Sequence, residues 1–261
     1  MPKNISDFES KPIKYVFTDI DDTLTHKGKL YPEAYESLWK LFAAGIKVIP
    51  VTGRPAGWCE MILRFWPVEA VIGENGGFYF IFDHNKKVKR HFFNTEEERK
   101  LNRDKLINIQ NEILKKIPGA SVASDQFTRL MDLAIDFCED VPALPKSEVE
   151  SIVDIFKNHG AQAKVSSIHV NGWFGDYNKV KMIKEFCKTE LNADFSSINS
   201  NAVFVGDSPN DQESFEAFEH SIGVKNIDTF LPDLSHPPCW IANFDGGKGF
   251  SEITNKILTA V

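Results

Sequence analysis

The sequence lacks any cysteine cluster: Cys59, Cys138, Cys187 and Cys239 stand far apart, with no C-x-x-C pair. That excludes a zinc knuckle and a disulfide framework, and it fits a reduced compartment. No apolar run approaches the ~18–20 residues that span a bilayer. The opening residues MPKNISDFESKP carry no apolar signal-peptide core. A soluble, cytoplasmic chain with no membrane partner is expected. Basic residues are in deficit, Lys+Arg 30 against Asp+Glu 37 for a net charge of −7, and they form no block. Nucleic acid is therefore not expected as a partner. The nucleotide loops G-x-x-x-x-G-K-[ST] and G-x-G-x-x-G are missing, as are internal repeats and low-complexity tracts.

What is present is a globular composition, 42% hydrophobic and 12% aromatic over 261 residues. A chain of that length suits one large domain or a core with an insert. The stretch Ile13–Thr25, IKYVFTDIDDTLT, stands out. Its apolar start predicts a buried strand, which breaks into Asp19, Asp21 and Asp22 followed by Thr23. Strand alternation sends Asp19 and Asp21 to the same side. Carboxylates that close repel unless a cation lies between them.

Downstream, Pro32 opens a helix with Tyr35, Leu38, Trp39 and Phe42 on its expected apolar face, stopped by Gly45. The strand Lys47–Val51 ends in Thr52-Gly53-Arg54-Pro55, a helix spans about 56–66, and a strand near 70–72 ends in Gly73-Glu74-Asn75-Gly76-Gly77. Alternating strands and helices predict a Rossmann-like parallel sheet with helices on both faces, an α/β core whose ligands bind beyond the strands' carboxyl ends. From about Asp83 the pattern changes. A hairpin over 78–93, a helix carrying Leu106, Ile109, Ile113 and Ile117, and alternating strands near 130–137 and 161–171 predict an inserted α+β unit. Its sheet would take helices on one face only. The first pattern resumes with a helix over about 178–191 and the strand Ala202–Val205. The expected division is a core of 1–82 and 174–261 with an insert of 83–173.

Four signals thus stand in order: Asp19-Ile20-Asp21-Asp22-Thr23, Thr52, Lys179 and Gly206-Asp207-Ser208-Pro209-Asn210-Asp211. Together they resemble the haloacid dehalogenase superfamily of phosphohydrolases over nearly the whole chain. The insert, the Gly73–Gly77 loop and GGKGFSEI at 246–253 are similar to the sugar-phosphatase branch with its large α+β cap. That branch includes trehalose-phosphate, sucrose-phosphate, mannosylphosphoglycerate and Cof-type phosphatases. Asp22 departs from it, since many relatives carry glycine there.

The resemblance implies Mg²⁺-dependent hydrolysis of a small phosphorylated metabolite, with a sugar phosphate as the expected substrate class. Asp19 would be the nucleophile that becomes an aspartyl-phosphate, and Asp21 the general acid and base. Thr52, Gly53 and Lys179 would bind the phosphoryl group. Asp19, Asp207 and the Asp21 backbone carbonyl would hold the metal. Ser208, Asn210 and Asp211 would orient metal-bound water and Lys179. Arg54, Glu74, Asn75, Asp132, His169 and Asn171 are the expected substrate contacts. Sheet alternation adds Ser167 and Asp136 to the same face. Arg129 and Trp173 are weaker candidates for substrate contact, with a surface cation and a hinge-packing aromatic as their other readings. A phosphomutase and a catalytically silent sugar- or partner-binding member of the same fold remain as alternatives. Monomer and homodimer are both open.

Overall fold

The computed structural model describes residues 1–9, 11–166 and 168–259, so Ser167 lies outside the described residues. The chain opens with β1 (Lys3–Asn4), β2 (Tyr15–Thr18), a ribbon of β3 (Thr25–His26) and β4 (Lys29–Leu30), then α1 (Pro32–Ala43). Next come β5 (Lys47–Pro50), α2 (Ala56–Phe65), β6 (Ala70–Gly73), β7 (Phe78–Phe82) and β8 (Val88–Phe92). The middle holds α3 (Glu96–Lys116), β9 (Ser121–Val122), β10 (Asp132–Asp136), α4 (Lys146–Asn158), β11 (Gln162–Val165) and β12 (His169–Trp173). The last part runs α5 (Lys179–Glu190), α6 (Phe195–Ile198), β13 (Ala202–Gly206), α7 (Gln212–Ala217), β14 (Ser221–Gly223), β15 (Trp240–Ile241) and α8 (Gly246–Leu258). Among the described residues no helix is long and apolar enough to cross a membrane.

Six strands form a parallel sheet in the order β1-β15-β14-β13-β2-β5. A bridge between Val51 and Ile72 attaches β6 beside β5. Alternation sorts the side chains to two cores. Val16, Val48, Val203 and Val205 pack with Leu38, Leu63 and Phe250 from α1, α2 and α8. Phe17, Ile49 and Phe204 pack with Met182, Phe186 and Phe215 from α5 and α7. Helices thus cover both faces, as the apolar strands predict. In α1 the buried stripe is Ala34, Ser37, Leu38 and Leu41, while Trp39 and Phe42 are exposed. Leu38 and Tyr35 of the expected face pack inward and Trp39 and Phe42 do not, because both Trp39-Phe42 and Leu38-Leu41 satisfy the helical spacing.

The second sheet is antiparallel, in the order β11-β12-β10-β9. Leu106, Ile109 and Ile113 of α3 and Ile152 and Phe156 of α4 cover one face through Leu133, Ile135 and Val170. The hairpin β7–β8 pairs with β6 and so extends the first sheet side. A boundary at 82/83 therefore cuts a paired hairpin, and we propose that the insert, here called the cap, begins after β8. Its two crossings to the core lie side by side, with the Phe93 and Tyr177 ring centroids 5.3 Å apart.

Two close approaches set the geometry. Gly76 (φ +100) passes so near α5 that a Cβ would lie 2.2 Å from the Asn178 carbonyl oxygen. Only glycine lets the Gly73–Gly77 loop seat the start of that helix. Gly172 of β12 lies under the Phe156 ring, where a Cβ would come within 2.0 Å. Gly172→Ala is expected to lower the unfolding free energy by about 1–3 kcal/mol through overpacking, read from denaturant midpoints. An unchanged midpoint would mean that α4 does not sit on this strand.

Candidate active site

The acidic turn and its partners meet where β2, β5 and β13 end. Asp19 follows β2, its amide donating to the Val205 carbonyl at 2.9 Å. Lys179, the first residue of α5, is 4% exposed and reaches back to this turn. Its Nζ donates to Asp19 Oδ1 at 2.6 Å and to Asp211 Oδ1 at 2.8 Å. The other Asp211 oxygen accepts the Asp207 amide at 3.1 Å, so Asp211 braces both ends of the cluster. Asp207 Oδ1 accepts from Thr23 Oγ1 at 2.9 Å, and its Oδ2 from Asn226 Nδ2 at 3.0 Å.

Oxygens of Asp19, Asp207 and Asp211 lie within 4.8 Å of one another, and all three residues are buried. Three carboxylates face a single ammonium. Burial pushes the Asp19 carboxyl up to about 7 against the pull of Lys179, with Asp211 and Asp21 adding to the rise. Burial, then Asp19 and Asp211, raise Asp207 well above the carboxylate range. Burial works against the Lys179 charge, but Asp19 and Asp211 outweigh it and hold the ammonium protonated. A cluster so short of positive charge fits a hard divalent cation, and its donors are oxygen with no cysteine or histidine among them.

Asp21 does not join that cluster. Its carboxylate is gripped by Arg54, with Nε donating at 2.9 Å and Nη2 at 2.8 Å. The Arg54 guanidinium also lies 4.6 Å over the Trp58 ring. Asp22 takes φ +54. Aspartate is among the few side-chain-bearing residues that adopt this left-handed region readily. Thr52 Oγ1 accepts the Arg54 amide at 3.0 Å, which leaves its own hydrogen for a ligand.

A cavity with a volume of about 50 Å³ is lined by Asp19, Asp21, Gly53, Arg54, Asp207 and Ser208 on the core side. Asn75 and Asn210 also line it, linked to each other at 3.2 Å. From the cap, Arg129, His169 and Asn171 close it. Burial, with Arg129 beside it, pushes His169 down to about 4, so it is neutral near pH 7. Its Nε2 lies 2.9 Å from Glu139 Oε2, angled so that no hydrogen bond forms.

Two expected contacts, Glu74 and Asp132, fall elsewhere, as does Asp136, which alternation put on the same face. The Glu74 carboxylate is wholly buried and accepts the amides of Ala56 (2.9 Å), Leu130 (3.0 Å), Met131 (2.5 Å) and Asp132 (3.1 Å). Burial, then Asp132, pushes it up to about 8, while Arg129 and the amides oppose the rise. Asp132 is committed to Arg129 at 3.1 Å and to Asn171 Nδ2 at 2.9 Å. Asp136 accepts the amides of Cys138, Glu139 and Asp140 in its own turn. Arg129, a weaker candidate whose other reading is a surface cation, is 3% exposed and lines the cavity. Asn226 was not anticipated. It donates to Asp207 and to the Asp22 carbonyl (3.1 Å), and accepts the Gly246 amide (3.1 Å). Its place just past β14, another carboxyl end, was the available signal.

Residues 16–115 match the family model described as haloacid dehalogenase-like hydrolase. The chain is 25% identical over 249 residues to a phosphoglycolate phosphatase of Methanoculleus marisnigri, covering 94% of this chain and 96% of that protein. Its fold is similar to that of Thermoplasma acidophilum 0175 (TM-score 0.74, 17% identity, 95% of this chain and 99% of that one). It is also similar to the sucrose-phosphatase of Synechocystis solved with sucrose and phosphate (TM-score 0.65, 13% identity, 95% and 98%).

Because three buried carboxylates share one counter-charge, metal-free Asp207→Asn is expected to melt at or above the wild-type temperature. Mg²⁺ should raise the melting temperature of the wild type but not of the variant. A wild type whose melting ignores Mg²⁺ would remove the cation from this cluster.

Proposed function

We propose that this chain, as a haloacid dehalogenase-like hydrolase, is a Mg²⁺-dependent phosphomonoesterase. Its substrate would be a small phosphorylated metabolite, a sugar phosphate by class, and the reaction would pass through an aspartyl-phosphate on Asp19. The observation that carries this reading is the ammonium of Lys179 at 2.6 Å from Asp19 Oδ1, inside a buried carboxylate cluster at the strand ends. An anionic nucleophile meeting an anionic phosphate at ~4 Å costs about 4 kcal/mol at an effective dielectric of 20. When bound, Mg²⁺ would supply two positive charges that offset this repulsion and polarise the phosphoryl oxygens. Asp19 and Asp207 would hold it with the Asp21 carbonyl, and Asp211 would hold Lys179 in place.

The free oxygen of Asp19 would attack phosphorus while Lys179, the Thr52 hydroxyl and the Gly53 amide hold the phosphoryl oxygens. Preorganised donors of this kind are worth about 2.7–4 kcal/mol each in the transition state. Asp21 would protonate the departing alkoxide and then take a proton from the water that cleaves the aspartyl-phosphate. The pairing with Arg54 leaves it placed to take that proton, and the first step requires the grip to loosen. On the cap side, neutral His169 and the Asn171 carbonyl suit sugar hydroxyls.

Phosphate release from a panel of phosphorylated metabolites, with Mg²⁺ and with chelator, tests the reading. Activity is expected only with the metal. Asp19→Asn should lose at least about a thousandfold with its melting curve kept, and retention of a tenth would remove Asp19 as nucleophile. His169→Ala and Asn171→Ala are expected to raise KM for the preferred sugar phosphate about tenfold, roughly one lost hydrogen bond. Activity on p-nitrophenyl phosphate should change little, and equal losses on both substrates would exclude leaving-group recognition by these residues.

A further inference from the structure

The peptide between Gly53 and Arg54 is held at both ends. Its N–H donates to Thr52 Oγ1 at 3.0 Å, and its carbonyl oxygen accepts from Arg129 Nη1 of the cap, also at 3.0 Å. A peptide unit is planar, so fixing its oxygen fixes the direction of its N–H. A hydroxyl oxygen that accepts from that N–H must turn its own hydrogen away from the loop. The Arg129 fork is itself fixed: Nε donates to Asp125 Oδ1 at 3.1 Å and Nη1 also to Asp132 Oδ1 at 3.1 Å. The segment that carries it is seated on the core by Glu74, which gathers the amides of Leu130, Met131 and Asp132. A core carboxylate takes donors from the cap, and a cap guanidinium returns a donor to the core.

We infer that Arg129 is a positioning residue for phosphoryl transfer: it sets the Thr52 hydroxyl through the Gly53–Arg54 peptide, and Glu74 holds Arg129 in register. The inference rests on the phosphatase reading above. It gives the cap a share in the chemistry even for leaving groups that it cannot touch.

The test uses p-nitrophenyl phosphate with Mg²⁺. Arg129→Lys keeps the charge but cannot reproduce the planar fork that spans two carboxylates and a carbonyl. Its kcat is expected to fall about 10- to 100-fold, the scale of a small misplacement at a reacting centre, with KM within about threefold and the melting temperature kept. Glu74→Gln should move kcat the same way, and it carries the comparison if Arg129→Lys does not fold. In a Thr52→Val background the Arg129→Lys step should cost less than about threefold further, because its route is already gone. Full kcat in a folded Arg129→Lys protein, or losses that multiply in the Thr52→Val background, would overturn the inference. A wild type that releases no phosphate would sink the hydrolase reading instead. Orthovanadate, whose five-coordinate form resembles the transferring phosphoryl group, should then still raise the melting temperature of the wild type and raise that of Arg129→Lys less; an equal rise in both would overturn the positioning role as well.

Discussion

One ammonium among three buried carboxylates is the constraint on which the rest of this molecule turns. Lys179 opens α5, where the helix dipole disfavours a positive charge, and it is almost wholly buried. Both features disfavour a charged lysine at that place, and Asp19 and Asp211 outweigh the burial. Such a balance tolerates little displacement, since Coulomb energy at short range in a poorly solvated site changes steeply with distance. Much of the surrounding structure reads as a mount for it. The Gly76 approach seats the helix start, Asn178 caps that helix by accepting the Lys181 amide at 2.8 Å, and Asp211 spends both oxygens on Lys179 and the Asp207 backbone.

What the sequence made legible follows from periodicity and punctuation. Apolar strands ending in acidic or glycine-rich turns located the parallel sheet and its carboxyl ends, and with them Asp19, Thr52 and Asp207. The change from continuous to alternating hydrophobicity located the second sheet and its one covered face. What stayed hidden depends on who pairs with whom. Glu74 looks like a ligand residue in sequence, but three of its four amide partners lie more than fifty positions away. No side-chain pattern encodes that. Arg129 was only a weaker candidate, because its partners, Asp125, Asp132 and the Gly53 carbonyl, form no pattern in sequence. Asp132 and Asp136 share the cavity face by alternation, yet hydrogen bonding takes both out of play.

The same distinction holds for Asp21 and Arg54. Their residue types suggest a proton shuttle and an anion reader, and the structure joins them in one bidentate pair. Arg54 also lies within 3.9 Å of Asp125 and 3.7 Å of Glu139, both from the second unit. Arg54 thus carries ionic contacts across the seam, while Arg129 crosses it through the Gly53 carbonyl. Lys164 adds a contact to Glu213 at 2.6 Å, although at a partly exposed site where such a pair contributes little.

The contact between Phe93 and Tyr177 has an evolutionary corollary. The two strands of chain that leave and re-enter the first unit start and finish at nearly the same point. To that unit, everything in between is a loop whose ends are already closed. Doubling the length of such a loop costs only about 0.6 kcal/mol in closure entropy, so the architecture permits lids of very different size to be exchanged on an unchanged chassis. The contacts that join the two units at this seam include one arginine fork on the Gly53 carbonyl and three consecutive amides on Glu74.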